Sequence, residues 1–437
     1  MTLSDAKIDK LAYGGNGVCR IDGKVCFVPF SCPGDEVHLR ITKQKKSYCS
    51  AEIVKVLQPS PERTVPVCPI FGDCGGCSWQ HIQYPDQLKH KRQIFTEMFW
   101  RGGRVGGDLI RETVASTLEY GYRSRVQFKV SVNHGKLHIG FYRNGTHDVE
   151  NAHNGCPVAR PVINEILGCL RSILDGFSET EFIDQISIDA GEQGAVAVVH
   201  YTGKNLVKIR GLLLESATKM GSCTGLFLQS GKKQALEKVW GSDVIEYHMP
   251  QRIPGTKPFL LSYLPGGFSQ INQVQNVAVL SIIRRLGDFK LTEKLLDLYC
   301  GNGNFSIPIA AEVASVVGIE GSEDSIRSAN SNKACNAVQN VEFNCDDVKV
   351  ALKRLVRDSC MFDVVLLDPP RAGAEEAVSD IAGLHPTKII YISCDPSTLA
   401  RDCGLLAGHG YRVVESVPLD MFPQTYHLES ITLLIKQ

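Results

Sequence analysis

Lys294-Leu-Leu-Asp-Leu-Tyr-Cys-Gly-Asn-Gly-Asn-Phe305 is the stretch that decides the fold. Its first half is apolar enough for a buried strand over 294–299, and its second half is a glycine-rich turn that leads into a helix. The same alternation repeats downstream. Strand-like runs occur at 315–319, 341–344, 362–367, 388–393, 411–418 and 431–435, and helical segments fill most gaps from 272–286 to 397–407. Strand and helix in alternation predict a parallel sheet with helices on both faces, hence an α/β fold. Ligands of such sheets bind outside the carboxyl ends of the strands, so the chemistry is expected at strand ends.

The strand ends carry informative residues. A glycine-rich turn suggests a nucleotide-like ligand, but Ser306 stands where a dinucleotide fingerprint has its third glycine, and Asp297 would repel a pyrophosphate. Asp297 would attract an ammonium group, which S-adenosylmethionine (SAM) carries. Glu320, ending the second strand, is placed to accept bonds from ribose hydroxyls, and Asp346, after the third, could face the adenine amino group. The fourth strand ends in Asp368-Pro369-Pro370-Arg371-Ala372-Gly373, a rigid loop beside the crevice of the kind that receives a base extracted from nucleic acid. The fifth ends in Ser393-Cys394-Asp395-Pro396. Asp395 suits a helix N-cap and Pro396 the first helical turn, so Cys394 stands at a helix start, where a thiol pKa is expected to fall. Glu429 lies just before the last strand.

Working back toward the N-terminus, short strand-like runs at 17–21, 25–29, 36–42 and 52–57, separated by Gly turns and a basic stretch at 43–46, predict a small OB-like β-barrel over 1–59, a fold that often binds single-stranded nucleic acid. Then come Cys68, Cys74 and Cys77, spaced C-x5-C-x2-C, with Gly72, Gly75 and Gly76 between or beside them; Cys156-Pro157 offers a fourth ligand. Four thiolates suit an iron–sulfur cluster or zinc. The prolines after Cys68 and Cys156 favour the cluster, and the glycines would let N–H groups approach the sulfurs. Residues 84–104 read as an amphipathic helix carrying Lys89, Lys91, Arg92, Arg101 and Arg104, either a phosphate-facing patch or a solvated face. The rest of 60–262 alternates strand and helix as a central α+β domain, and 263–437 is the α/β domain.

Composition narrows the classes. A chain of 437 residues with 43% hydrophobic content has ample core for several domains. Its 16 cysteines, with no apolar leader over 1–10, indicate reduced thiols and a cytoplasmic setting. The uncharged run 258–283 contains Pro265-Gly266-Gly267 and many amides, so it is no membrane span. Formal net charge is +0, which excludes a global polyanion-binding surface but not a local one.

Taken together, Cys68, Cys74, Cys77 and Cys156, the 297–303 turn, Asp368–Gly373, Ser393–Pro396 and His427-Leu428-Glu429 make nearly the whole chain resemble the RNA uridine-C5 methyltransferases that carry an N-terminal TRAM-type barrel and a four-cysteine [4Fe-4S] site. The resemblance implies a Rossmann-like SAM-dependent methyltransferase domain. It implies Cys394 as nucleophile, Glu429 as base, Asp368 holding the uracil edge or orienting the thiol, and a SAM site including Gln270, Asp297, Tyr299, Gly301, Gly303, Glu320, Asp346 and Asp368. It also implies an RNA substrate, with 23S rRNA expected ahead of tRNA, and no membrane or obligate protein partner. Two other classes remain open on the residues alone: a non-catalytic RNA-binding protein with this fold, and an iron–sulfur redox enzyme with a dinucleotide fold.

Overall fold

The computed structural model describes residues 3–231, 236–253 and 255–437. The N-terminal sheet contains β1 (Leu3–Lys7), β2 (Lys10–Leu11), β3 (Gly17–Ile21), β4 (Lys24–Val28), β5 (Glu36–Gln44) and β6 (Tyr48–Gln58), in the order β1-β5-β6-β4-β3-β2. Its two edge strands, β1 and β2, follow one another in the chain, so the sheet curls back on itself. Inside it lie Ile8, Val28, Val37 and Leu39 with Cys19, Cys26 and Cys49, which are therefore core thiols. The sequence pattern missed β1 and β2 because their residues are mostly polar and half-exposed.

After helix α1 (Tyr84–Gly103), a second sheet is built from β7 (Arg125–Asn133), β8 (Lys136–Tyr142), β9 (Val149–Asn151), β10 (Ile183–Ala190), β11 (Ala195–Tyr201), β12 (Cys223–Ser230) and β13 (Glu237–Gly241). Helices α2 (Pro161–Leu174) and α3 (Leu206–Ala217) pack on one face through Ile163, Leu167, Leu170, Ile209 and Leu213. A hairpin, β14 (Ile245–Met249) with β15 (Phe259–Tyr263), leads to α4 (Gln273–Gly287). The uncharged run 258–283 is thus a strand, a loop and a helix, and no helix among the described residues is long and apolar enough to cross a membrane.

The third sheet holds β16 (Lys294–Leu298), β17 (Ser315–Glu320), β18 (Val341–Cys345), β19 (Val364–Leu367), β20 (Lys388–Ser393), β21 (Tyr411–Leu419) and β22 (Glu429–Lys436), in the order β18-β17-β16-β19-β20-β22-β21. The first five strands run parallel, as expected, but β22 inserts antiparallel between β20 and β21. Helices α5 (Ser306–Ile309), α6 (Glu323–Cys335), α7 (Val348–Arg357), α8 (Val378–Gly383) and α9 (Pro396–Gly408) follow the strands. The apolar strands feed two cores at once. Val364, Leu366, Ile390 and Ile392 face α4 and α6, while Val365, Leu367, Ile389 and Tyr391 face α7, α8 and α9. That second core also takes Ile94, Phe95 and Phe99 of α1. Gly102 lies so close to α9 that a Cβ there would sit 2.8 Å from Ala400 Cβ.

Helix α1 therefore is not a plain basic face. Lys91 is fully buried and donates to Asp420 at 2.6 Å, and Arg92 donates to the carbonyls of Ile110 and Arg111. Lys89 pairs with Asp86, and Arg101 lies against Glu97. Of the two readings of this helix, a phosphate-facing patch or a solvated face, neither fits Lys91, whose charge is buried against Asp420, while Lys89 and Arg101 stay largely exposed.

Candidate active site

Sheet register assembles the centre. The β20–β22 ladder ends where Ser393 pairs with Ser430, which leaves Cys394 and Glu429 flanking that last pair. The β19 end adds Asp368 to Arg371, and the loop 420–428 adds Phe422 and His427. These residues line one cleft of about 560 Å³ with Phe268, Gln270, Tyr299, Gly301, Glu320 and Ser322. The helix start after Cys394 forms as expected. Asp395 caps α9, Oδ1 accepting from the N–H groups of Ser397 at 2.8 Å and Thr398 at 3.2 Å, with Pro396 in the first turn.

The electrostatics differ from the local expectation. Burial pushes the Cys394 thiol up to about 12, reinforced by Glu429 and Asp368 and opposed by Arg371. The helix N–H groups that would have lowered it are taken by Asp395. Burial likewise lifts Glu429 to about 8, with Asp368 adding to the effect and Arg371 opposing it. Glu429 Oε2 is buried without a hydrogen-bond partner. Asp368 rises to about 7 through burial. His427 is pushed down to about 4, chiefly by burial and then by Arg371, and so is neutral near pH 7. The cleft thus holds proton-bearing groups tuned toward neutral pH, with one cation, Arg371, among them.

The remaining predicted residues divide. Gln270 lines the cleft and donates from Nε2 to Asp368 Oδ2 at 3.2 Å. Glu320 accepts from the N–H groups of Gly301 at 3.3 Å and Ser322 at 2.9 Å, leaving further lone pairs toward the cleft. Tyr299 takes the left-handed backbone conformation (φ 63°), a strained turn of the kind found at ligand sites. Gly303 (φ +80°) packs so tightly that a Cβ would lie 2.9 Å from both Ile307 and Phe343. Asp297 lies beneath the turn instead of on the wall. It accepts the Ser306 hydroxyl, and burial raises it to about 7. Asp346 turns away to Arg354 at 2.7 Å, while Asp347 caps α7 and lines a neighbouring cavity with Tyr299 and Glu320. Sequence reasoning gave no role to Arg371, Phe268 or Phe422. Of these only Arg371 had a signal, its place in the Asp-Pro-Pro-Arg loop.

A second cavity is lined by Cys68, Cys74, Cys77 and Cys156, together with Phe71, Gln80 and Arg123. The first three come from the loop before α1, which pairs with the β8 end through Gly75 N–H to the Tyr142 carbonyl. Cys156 comes from the turn before α2, fixed by Asn164 on its N–H and carbonyl. Gly76 N–H points at Cys74 Sγ at 3.4 Å. Burial raises Cys74 to about 11 and Cys77 to about 12. No group of three or more His, Cys, Asp or Glu among the described residues is arranged to hold a metal ion.

Comparison with known proteins identifies the family. Residues 247–437 match the family described as tRNA (Uracil-5-)-methyltransferase, and residues 5–62 match the TRAM domain of tRNA (uracil(54)-C(5))-methyltransferase. The chain is 32% identical to the 23S rRNA (uracil(1939)-C(5))-methyltransferase RlmD of Vibrio vulnificus, over 98% of this chain and 95% of that one. It is also 32% identical to the protein of the same name from Alkalilimnicola ehrlichii, over 98% and 96%. The tRNA (uracil-54, C5)-methyltransferase of Pyrococcus abyssi, solved with S-adenosyl-L-homocysteine, superposes with a TM-score of 0.75 at 25% identity, covering 99% of this chain and 100% of that one. The chain belongs to the RNA (uracil-C5)-methyltransferase family and is a SAM-dependent enzyme of that family.

Proposed function

We propose that the enzyme methylates C5 of a uridine in 23S rRNA through a covalent adduct on Cys394. The observation that carries this reading is that Cys394, Glu429 and Asp368 line one cleft at the end of the β20–β22 ladder. Uracil C5 is too weak a nucleophile to take a methyl group unaided. The Cys394 thiol releases its proton to solvent, and the thiolate adds at C6 and pushes the C5–C6 electron pair into an enolate, which makes C5 nucleophilic. SAM supplies an electrophilic methyl on its sulfonium. Glu429 then removes the C5 proton, the C5–C6 double bond re-forms, and the Cys394–C6 bond breaks. A base raised to about 8 suits that task near neutral pH. In this reading Gln270 and Asp368, bonded to each other, hold the uracil edge or the SAM amino acid, and Glu320 holds the ribose hydroxyls. RNA carrying 5-fluorouridine tests the path, because fluorine cannot leave C5 as a proton. A stable adduct is expected with the wild-type enzyme, and its formation by Cys394→Ala would sink the assignment.

The 23S substrate is supported by likeness along nearly the full chain to the 23S rRNA enzymes. Labelled SAM offered with unmodified 23S RNA and, separately, with unmodified tRNA tests it. Transfer to tRNA alone would favour the activity named for the P. abyssi protein.

The four-cysteine cavity fits a [4Fe-4S] cluster better than zinc. Four cysteines on one shared cavity can give each iron of such a cluster one thiolate, and the prolines after Cys68 and Cys156 are those of ferredoxin-type ligand runs. Arg123 Nε, on the same wall, is buried with no hydrogen-bond partner, as suits an anionic cluster. Cys68, Cys74, Cys77 and Cys156 would hold it as thiolates, tying the loop before α1 to the turn before α2. Anaerobically purified protein should contain iron and sulfide and absorb in the visible. One zinc per chain and a colourless protein would overturn the reading.

A further inference from the structure

The turn 12–16 between β2 and β3 leaves the N-terminal sheet and reaches the start of α9 beside the cleft. It is tight, with Ala12 N–H on the Asn16 carbonyl at 2.8 Å and Gly15 N–H on the Ala12 carbonyl at 3.1 Å. Tyr13 at its tip donates its hydroxyl to Asp395 Oδ2 at 3.0 Å. Its ring meets Tyr426 edge-on at 6.0 Å, and Tyr426 stacks on His427 at 4.4 Å. Two further contacts fix the turn. The buried Trp79 donates its indole N–H to the Gly15 carbonyl at 3.0 Å, and Gly15 (φ +90°) abuts Tyr426 so closely that a Cβ would lie 3.0 Å from its ring. One side chain of the N-terminal module thus touches the residue after Cys394 and the segment before Glu429.

The division of bonds on Asp395 gives that contact its meaning. Oδ1 accepts the Ser397 N–H, the Ser397 hydroxyl and the Thr398 N–H, all at the start of α9; Oδ2 accepts Tyr13. We propose that Tyr13 is a positioning residue for Cys394, its hydroxyl anchoring the Asp395 carboxylate away from the neighbouring sulfur so that the thiolate can form. This rests on Cys394 being the nucleophile. The ionisable groups acting on Cys394 are Glu429 from β22 and Asp368 and Arg371 from the β19 loop, and Cys394 in turn is one of the groups that raise Tyr13. Two of the groups acting on Cys394 are carboxyls that oppose a thiolate, so a freed Asp395 oxygen would be a third. Burial, then Asp395, push the Tyr13 hydroxyl well above its ordinary range, which keeps it a proton donor throughout the working pH range. Although burial pushes the other way, hydrogen bonds from Ser397, Thr398 and Tyr13 hold Asp395 below the usual carboxylate range.

Tyr13→Phe keeps the ring against Tyr426 and removes only the hydroxyl. With 23S RNA transcribed with 5-fluorouridine, its single-turnover rate of adduct formation should fall about tenfold, the scale of one hydrogen bond to a charged group. RNA affinity should be unchanged, and the pH at which the rate is half-maximal should move up. In an Asp395→Asn background, where the cap survives and the charge is gone, Tyr13→Phe should cost less than about twofold. Equal losses in both backgrounds, or a loss confined to RNA affinity, would overturn the inference and make Tyr13 a packing or RNA-contact residue. Absence of any Cys394-dependent adduct in the wild type is a separate outcome, which removes the nucleophile premise itself.

Discussion

The loop 420–428 is bounded by two buried acids that live under opposite regimes. Asp420, at the end of β21, is sealed against the Lys91 ammonium, and both side chains are fully buried. Glu429, at the start of β22, is equally enclosed, but beyond burial the charged group that raises it is another carboxyl, Asp368. Opposite charges brought together fasten α1 to the catalytic sheet. Burial, with Asp368 adding to it and Arg371 opposing, keeps a proton on Glu429 that is ready to move. Burial alone therefore does not mark a functional site; what matters is whether a partner fixes the charge, as Lys91 does for Asp420, or leaves the group free to exchange a proton, as at Glu429.

The contrast is sharpest in what each acid does when removed. Glu429→Gln should lower turnover by about 10²–10⁴, the range for loss of a general base. It should accumulate protein–RNA adduct on ordinary RNA, read by denaturing gel; rapid turnover would put Glu429 back among structural acids. Lys91→Met should leave activity chemistry intact in whatever protein folds, yet cost about 3–5 kcal/mol in urea unfolding, because Asp420 stays buried without its cation. The double variant Lys91→Met/Asp420→Leu should recover most of that loss.

The pH dependence of stability separates the two regimes more finely. Glu429, Asp368 and Asp297 keep their protons in the folded chain to about 8, 7 and 7, whereas an unfolded carboxyl loses its proton near 4. Between these limits the folded state binds more protons, so their contribution to stability falls as pH rises from about 4 and levels off above about 8. Glu429→Gln should accordingly be more stable than wild type at pH 8, by on the order of 1 kcal/mol or more. The gain should vanish at pH 4, and a uniform gain at every pH would contradict the assignment. At the far end of the scale stands the exposed pair Lys89–Asp86. Lys89→Ala should leave the urea midpoint unchanged within error, since exposed pairs contribute little.

What could be read from sequence was what is decided locally. Apolar runs such as 364–367 and 389–392 must be buried on both faces wherever they lie, and Asp395-Pro396 caps a helix with residues next to it in the chain. The cysteine spacing and the Asp-Pro-Pro loop are likewise short-range. Lys91 was illegible because its partner is on a strand end far along the chain. The Cys394 pKa went the wrong way for the same reason. The helix start beside it argues for a lower value, and the cleft closed around it by Asp368 and Glu429 reverses that. Asp297 was rightly placed at a strand end, but depth beneath a turn is a tertiary property, and Ser306 had already claimed it.

The clasp on the catalytic sheet also sets a timetable. The Lys91–Asp420 bond closes 329 residues of chain and the Tyr13–Asp395 bond 382. Contacts that distant are costly in loop entropy and form late. During refolding the sheets should recover their circular dichroism first, while α9 still lacks its cover from α1 and Asp420 its cation. Methyl transfer should return only after a lag, when the two ends of the chain have found each other.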